Sequence, residues 1–232
     1  MNMHAKRSFC ISALHRLRDG MRSSSVARWA ILAVACTVSV ACLGVRAQEG
    51  TGPATQDSWI ALFNGKDLTG WIKHGDAKWT VRDGVLIGEQ NDGKVGDLYT
   101  TGEWSDFELM VRFKVRWPAN TGVWFRSQPE KKKLGYQMDI LSLKDYGAAT
   151  GSIWSKGFLA KNMDESILKR DDWNLVHITA VGPKLTVVLN EKKVAEAEDA
   201  QYTVGRIGFQ VHAGERYKDM AVMVKEVKIR RR

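Results

Sequence analysis

The sequence predicts an all-β sandwich of two antiparallel sheets with little helix, and three observations carry that expectation. Short apolar runs recur along residues 58–232, separated by Gly, Asp and Asn, and several alternate between apolar and polar positions. No segment keeps a 3.6-residue period over helical length; at most a short turn of helix fits Ala160–Lys169. Ten or more short strands without helices between them point to antiparallel layers, not a parallel sheet.

Taken in order, Trp59–Phe63 is an apolar run closed by a turn at Asn64-Gly65-Lys66-Asp67. Trp79–Arg82 and Val85–Ile87 flank Asp83-Gly84, a dipeptide suited to the positive-φ turn of a hairpin. Asp106–Arg116 puts Phe107, Leu109, Val111, Phe113 and Val115 on one face and Glu108, Arg112, Lys114 and Arg116 on the other. Such a strand buries one face and wets the other. Further strands are expected at Gly122–Ser127, Gly135–Leu141, Asn174–Val181, Leu185–Asn190, Arg206–His212 and Met220–Ile229. The last alternates at Met220, Val222 and Val224, then shifts phase to Val227 and Ile229, so a bulge is expected near Lys225-Glu226. The closing Lys228–Arg232 run reads as a solvated strand end whose last two arginines are dispensable.

The 232 residues carry a formal charge of +9, but it is concentrated at one end. Residues 1–47 hold seven basic residues and one acid, so the remaining chain carries only +3 and offers no footprint for nucleic acid. All three cysteines (Cys10, Cys36, Cys42) lie in the same segment, which leaves the body without disulfides or thiolate chemistry. Trp29–Val45 is an apolar run preceded by Arg22 and Arg28 and followed by Val45-Arg46-Ala47 before Gln48. Residues 1–47 are therefore read as a cleaved export signal, with Met21 as the more conventional start. At 17 residues the run sits at the lower limit for a membrane span, and Thr37 and Ser39 weaken it further. Residues 48–57 form a small, polar linker, residues 58–232 a single domain, and the expected location is periplasmic or secreted.

Ten pieces of the body then occur in the order of a known family: LFNGKDLTGW, WTVRDGVL, GDLYT, DFEL, NTGVWFR, GYQMDI, TGSIW, DWN, GRIGFQVH and VKEVKIR. Over residues 58–231 the chain resembles the bacterial 3-keto-disaccharide hydrolase domain, long catalogued as domain of unknown function 1080. The resemblance implies a concanavalin- or laminin-G-like jelly roll, one sheet of which forms a sugar groove. One strand departs from the family pattern. Where the family usually writes Gly-Tyr-Glu-x-Gln-Ile, this chain has Gly-Tyr-Gln137-Met138-Asp139-Ile.

Alternation assigns the faces. Val123, Phe125, Tyr136, Met138, Ile140, Ile207, Phe209 and Val211 are expected in the core; Trp124, Arg126, Gln137, Asp139, Gln210 and His212 on the opposite face. That face combines an acid, a histidine, a cation, two amides and an aromatic ring, a plausible lining for a sugar. Asp139 breaks the rule that strands exclude aspartate. His177, on the face with Leu175 and Val181, reads as structural. Gln137 stands where an acid would be needed, so a two-carboxylate glycosidase pair is missing from this strand.

The resemblance implies a substrate already oxidised to a ketone at C3 of the sugar. That ketone acidifies the proton on C2, so one base suffices for elimination of the C1 substituent, and hydration completes a net hydrolysis. Asp139 and His212 are the expected base and acid, in either order, and Arg126 the expected oxyanion partner. Gln137, Gln210 and Trp124 would hold the sugar. No cofactor is fixed; a divalent metal could take the oxyanion role with Asp139 and His212 as ligands, though no dedicated ligand spacing marks it. The alternative reading is a non-catalytic carbohydrate-binding module. The expected partner is a carbohydrate, with no nucleic acid and, after signal cleavage, no membrane; the oligomeric state is left open.

Overall fold

The computed structural model describes residues 58–131 and 134–232; residues 1–47, expected to be an export signal, and the expected linker 48–57 lie outside the described residues. In chain order the strands are β1 (Ile60–Ala61), β2 (Trp71–Gly75), β3 (Lys78–Arg82), β4 (Val85–Glu89), β5 (Gly96–Thr100), β6 (Phe107–Arg116), β7 (Thr121–Ser127) and β8 (Tyr136–Ile140). A single helical turn, α1 (Leu143–Tyr146), precedes β9 (Ala149–Trp154) and β10 (Phe158–Asn162). Then follow β11 (Asn174–Val181), β12 (Lys184–Leu189), β13 (Lys192–Glu198), β14 (Arg206–Val211) and β15 (Ala221–Arg231).

All the strand pairs are antiparallel and they make two sheets. The first runs β13-β12-β11-β6-β15-β4-β3, with β1 added beside β15; the second runs β10-β9-β8-β7-β14-β5-β2. Alternation decides what lies between them. Phe107, Leu109, Val111 and Phe113 of β6 meet Phe125, Met138, Ile140 and Phe209 of the second sheet in one continuous core. The Asp83-Gly84 hairpin forms with both residues at positive φ, 52° and 75°. The β15 ladder skips a residue between Val224 and Glu226, a bulge that returns Val227 and Ile229 to the core.

Within Ala160–Lys169, where at most a short turn of helix was expected, Glu165–Ile167 makes a 3₁₀ turn capped by the Asp164 carboxylate, after a start that belongs to β10. A further α-helical turn, not expected, lies at Leu143–Tyr146. One local expectation is corrected: the C-terminal arginines are not merely solvated. Arg231 pairs within β15 against Phe107, and Arg232 closes on Asp106 through its backbone and on Glu108 through its guanidinium.

The two sheets differ in one respect that locates the site. β6 alternates between buried and half-exposed residues, as a one-sided strand should. Every residue of β7 and β8 is buried, so these two strands are covered on both faces. The core covers one face, and a walled cavity lies over the other.

Candidate functional site

The cavity, about 350 Å³, opens over β7, β8, β9 and the end of β14. It is lined by Asn120, Trp124, Leu134, Gln137, Asp139, Leu141, Tyr146, Trp154, Phe158, Gln210 and His212. Strand register brings the polar members together. Gly122 faces Asp139 and Trp124 faces Gln137 across β7–β8, while Gly208 of β14 faces Trp124 from the other side. The Gln137 amide donates to Gln210 Oε1 at 3.3 Å, bridging over β7. Of the six residues assigned to this face from alternation, Trp124, Gln137, Asp139, Gln210 and His212 line the cavity, with Val123, Met138 and Val211 in the core beneath.

Asp139 is only 4% exposed, and no side chain among the described residues donates to its carboxylate or pairs with it. Burial alone therefore acts on it and pushes its pKa up to about 8. His212 differs in kind. Its Nδ1 lies 2.7 Å from the Ala213 carbonyl, which can only accept, so Nδ1 carries a proton and in the neutral imidazole the lone pair is on Nε2. The backbone on either side is held by Gln90, which donates to the carbonyls of His212 and Gly214 at 2.9 and 3.1 Å. A carboxyl group that resists ionisation and an imidazole with an open basic nitrogen line one cavity.

Arg126 does not join them. A one-residue slip in the β7–β14 ladder, where Ser127 pairs with Arg206 but Trp124 with Gly208, sets Arg126 in a bulge at φ 52°. Its side chain turns away from the cavity and is 1% exposed. Nε donates to Ser105 O at 2.8 Å, Nη1 to Gly182 O at 2.8 Å and Tyr202 O at 3.2 Å, and Nη2 to Asp106 at 2.9 Å. The close approach that makes the bulge possible requires glycine at 205, where a Cβ would lie 2.4 Å from the Arg126 carbonyl carbon. The expected oxyanion partner is thus a structural cross-link at the other end of β7. Alternation failed here because a bulge changes phase with no composition signal of its own.

Six further residues complete the cavity walls, Leu134 and Leu141 among them. Trp154 stands opposite Gln137 on β9 and meets Trp124 edge-on, ring centres 6.2 Å apart, with Phe158 beyond. At only 4% exposure, Trp124 is more wall than open platform. On the other side Asn120 donates to Tyr146 Oη at 2.8 Å, and Tyr146 Oη shares a short hydrogen bond with Tyr217 Oη. Burial, reinforced by that bond, pushes the Tyr146 phenol up to about 12. The Tyr217 ring packs edge-on against His212 at 5.6 Å, and Arg216 ties this turn to Asp145 of α1 at 2.6 Å. Trp154 was visible at the end of the TGSIW piece; Asn120 sits in irregular chain and Tyr146 ends the single turn α1, and neither belongs to a strand, so alternation has nothing to say of them. Among the described residues no group of three or more His, Cys, Asp or Glu side chains is arranged to hold a metal ion, although Asp139 and His212 share the cavity.

Comparison with known proteins agrees with this architecture. Over 99 residues the chain is 33% identical to a 3-keto-disaccharide hydrolase from Bacteroides thetaiotaomicron, a match covering 38% of this chain and 34% of that protein. The chain thus spans about a third of the length of that curated relative. In fold it is similar to a candidate glycosyl hydrolase from Parabacteroides distasonis, with TM-score 0.60, 24% identity, and coverage of 76% of this chain and 100% of that one. A Bacillus subtilis protein of galectin-like fold gives TM-score 0.59 at 12% identity over 75% and 94% of the two chains. A carbohydrate-binding module from the same organism gives 0.55 at 17% over 69% and 95%. The profile of one family matches the described sandwich from end to end, residues 58–230, and the chain belongs to that 3-keto-alpha-glucoside-1,2-lyase-like domain family.

Proposed function

We propose that the protein cleaves 3-keto-glycosides, including 3-keto-disaccharides, by removal of the C2 proton, elimination and hydration. The observation that carries this reading is Asp139: a buried carboxyl group with no compensating cation among the described residues, sharing a sugar-sized cavity with His212. The described lining holds this one carboxylate, which suits chemistry that needs a single proton donor better than a pair of glycosidase carboxylates.

In the proposed cycle His212 Nε2 takes the C2 proton, and the electrons pass to the C3 oxygen as an enolate. The amide N–H groups of Asn120 and Gln137, both at the cavity wall, meet that developing charge in place of Arg126. The enolate collapses to a C1–C2 double bond as the C1–O bond breaks, and protonated Asp139 gives its proton to the departing oxygen. Asp139, now ionised, takes a proton from water as the water oxygen adds to C1. The histidinium then returns its proton to C2. One water is consumed and both side chains regain their starting states.

The direct experiment is incubation of the purified protein with 3-keto-trehalose or a 3-keto-glucoside. Released sugar is the expected result, and no release from either substrate overturns the reading. The binding-module alternative draws on the Trp124–Trp154 wall. It predicts sugar affinity that survives Asp139→Asn with no turnover in the parent protein.

Export is part of the same proposal and rests on the basic, apolar and small-residue order of residues 22–47. Mass spectrometry of protein from the native host is expected to find an N-terminus near Gln48. Retention of Arg22 would overturn it.

A further inference from the structure

The cavity covers only part of the second sheet's outer face, and the rest of that face carries a second polar group that the mechanism leaves unused. Across the strand order β8-β7-β14-β5-β2, Gln210 pairs with Asp97, and Asp97 pairs with His74. Directly paired residues in an antiparallel ladder share a face, so His74, Asp97 and Gln210 form one row on the cavity side. The intervening Leu98 points into the core. The row is continuous with the cavity, because Gln210 lines it and takes a hydrogen bond from Gln137.

Asp97 is held in place but not neutralised. Tyr99 Oη donates to its Oδ2 at 3.0 Å, and among the described residues no cation pairs with it. The Tyr99 ring lies over Gly208, where a Cβ would come within 2.4 Å of it, and His74 packs edge-on against the same ring at 5.5 Å. Oδ1 of Asp97 and the His74 ring thus remain as hydrogen-bonding groups at a half-buried surface. Burial also raises the Asp97 carboxyl to about 6. β5 lies three strand spacings from the strand of Asp139, roughly 14 Å, a span on the scale of two linked hexose rings.

We propose that His74, Asp97 and Gln210 form a second sugar subsite, which holds hydroxyl groups of the ring joined to the one in the Asp139 cavity. The proposal rests on the cavity being the site of the oxidised ring. A carboxylate oriented by one phenol accepts from sugar hydroxyls at its other oxygen, while Gln210 reaches both rings from its place between them. The subsite would favour disaccharides over glycosides of a small alcohol.

The test is the ratio of kcat/KM for 3-keto-trehalose to kcat/KM for methyl 3-keto-α-glucoside. Loss of one charge-assisted hydrogen bond predicts that Asp97→Asn lowers this ratio about 10-fold or more. His74→Ala, on the edge strand β2, is expected to lower it about 3-fold, the scale of one ordinary hydrogen bond. Ratios equal to wild type in both variants overturn the subsite, as do equal losses on both substrates. Should Asp97→Asn fail to fold, His74→Ala decides by the same ratio. If the parent protein turns over neither substrate, the catalytic reading fails separately. The subsite is then judged by the ratio of dissociation constants for the two ligands, with the same outcomes.

Discussion

The two ends of β7 bury ionisable groups under opposite conditions. At one end Arg126 is caged: three backbone carbonyls and the Asp106 carboxylate receive its N–H groups. At the other end Asp139, one strand away, has no such partner among the described residues and faces a cavity. A buried charge whose hydrogen bonds are all made holds a structure together, because any change leaves something unpaired. A buried acid with none made is poised to exchange a proton, because its charged form is costly. Partnership, not burial or residue type, separates the cross-link from the candidate catalyst.

The largest expected effect is at the caged end. Arg126→Met removes the cation, leaving the Asp106 carboxylate with only the Gly182 N–H and the three carbonyls without their donor, so urea denaturation is expected to show a loss of about 3–5 kcal/mol. A near-neutral result would mean that the cage is dispensable. Beneath the cavity, Met138→Ala empties a fully buried core position and is expected to cost about 2–5 kcal/mol.

Asp139→Asn should behave in the opposite sense to both. Turnover of a 3-keto-glycoside is expected to fall about 10²-fold or more, the scale of a lost acid–base residue. Stability should instead rise at alkaline pH. An aspartate raised in the folded state from 3.8 to about 8 imposes no penalty at pH below the ordinary value and a growing one as pH climbs towards 8. Removing the charge should flatten that decline, so between pH 5 and pH 8.5 the variant gains on the parent by on the order of 4 kcal/mol. Chemical denaturation at pH 5 and pH 8.5 checks it. An Asn variant that unfolds would invert the assignment of faces.

The pH–rate profile sharpens the roles within the cavity. With Asp139 as the acid, kcat/KM should fall as pH rises through about 8. A rise through the same value would make Asp139 the base and exchange its role with His212.

The smallest effect is expected at the C-terminus. Removing Arg231 and Arg232 breaks one strand pairing and a partly exposed contact with Glu108, so a loss of about 1 kcal/mol is expected with no change in kcat/KM. A loss comparable with that of Arg126→Met would show that the strand end is part of the same cross-link.

The sequence by itself determined the layers and most of the faces. Val123, Met138 and Val211 lie inside and Gln137, Asp139 and Gln210 outside because successive side chains of a strand point to opposite sides, a rule that needs no knowledge of the neighbours. The bulge in β15 was legible too, since its apolar residues visibly change phase. Arg126 was not. Its bulge comes from the close approach of Gly205, just before β14 and about 80 residues later, and nothing within NTGVWFR reports that contact. Asn120 reaches the cavity from irregular chain and Tyr146 from the single turn α1, and the row of His74, Asp97 and Gln210 exists only through the pairing of β2, β5 and β14. Local alternation fixes which side of a strand a residue occupies. Which residues become neighbours across strands, and whether a buried charge finds partners there, depends on contacts between distant segments that form only in the folded chain.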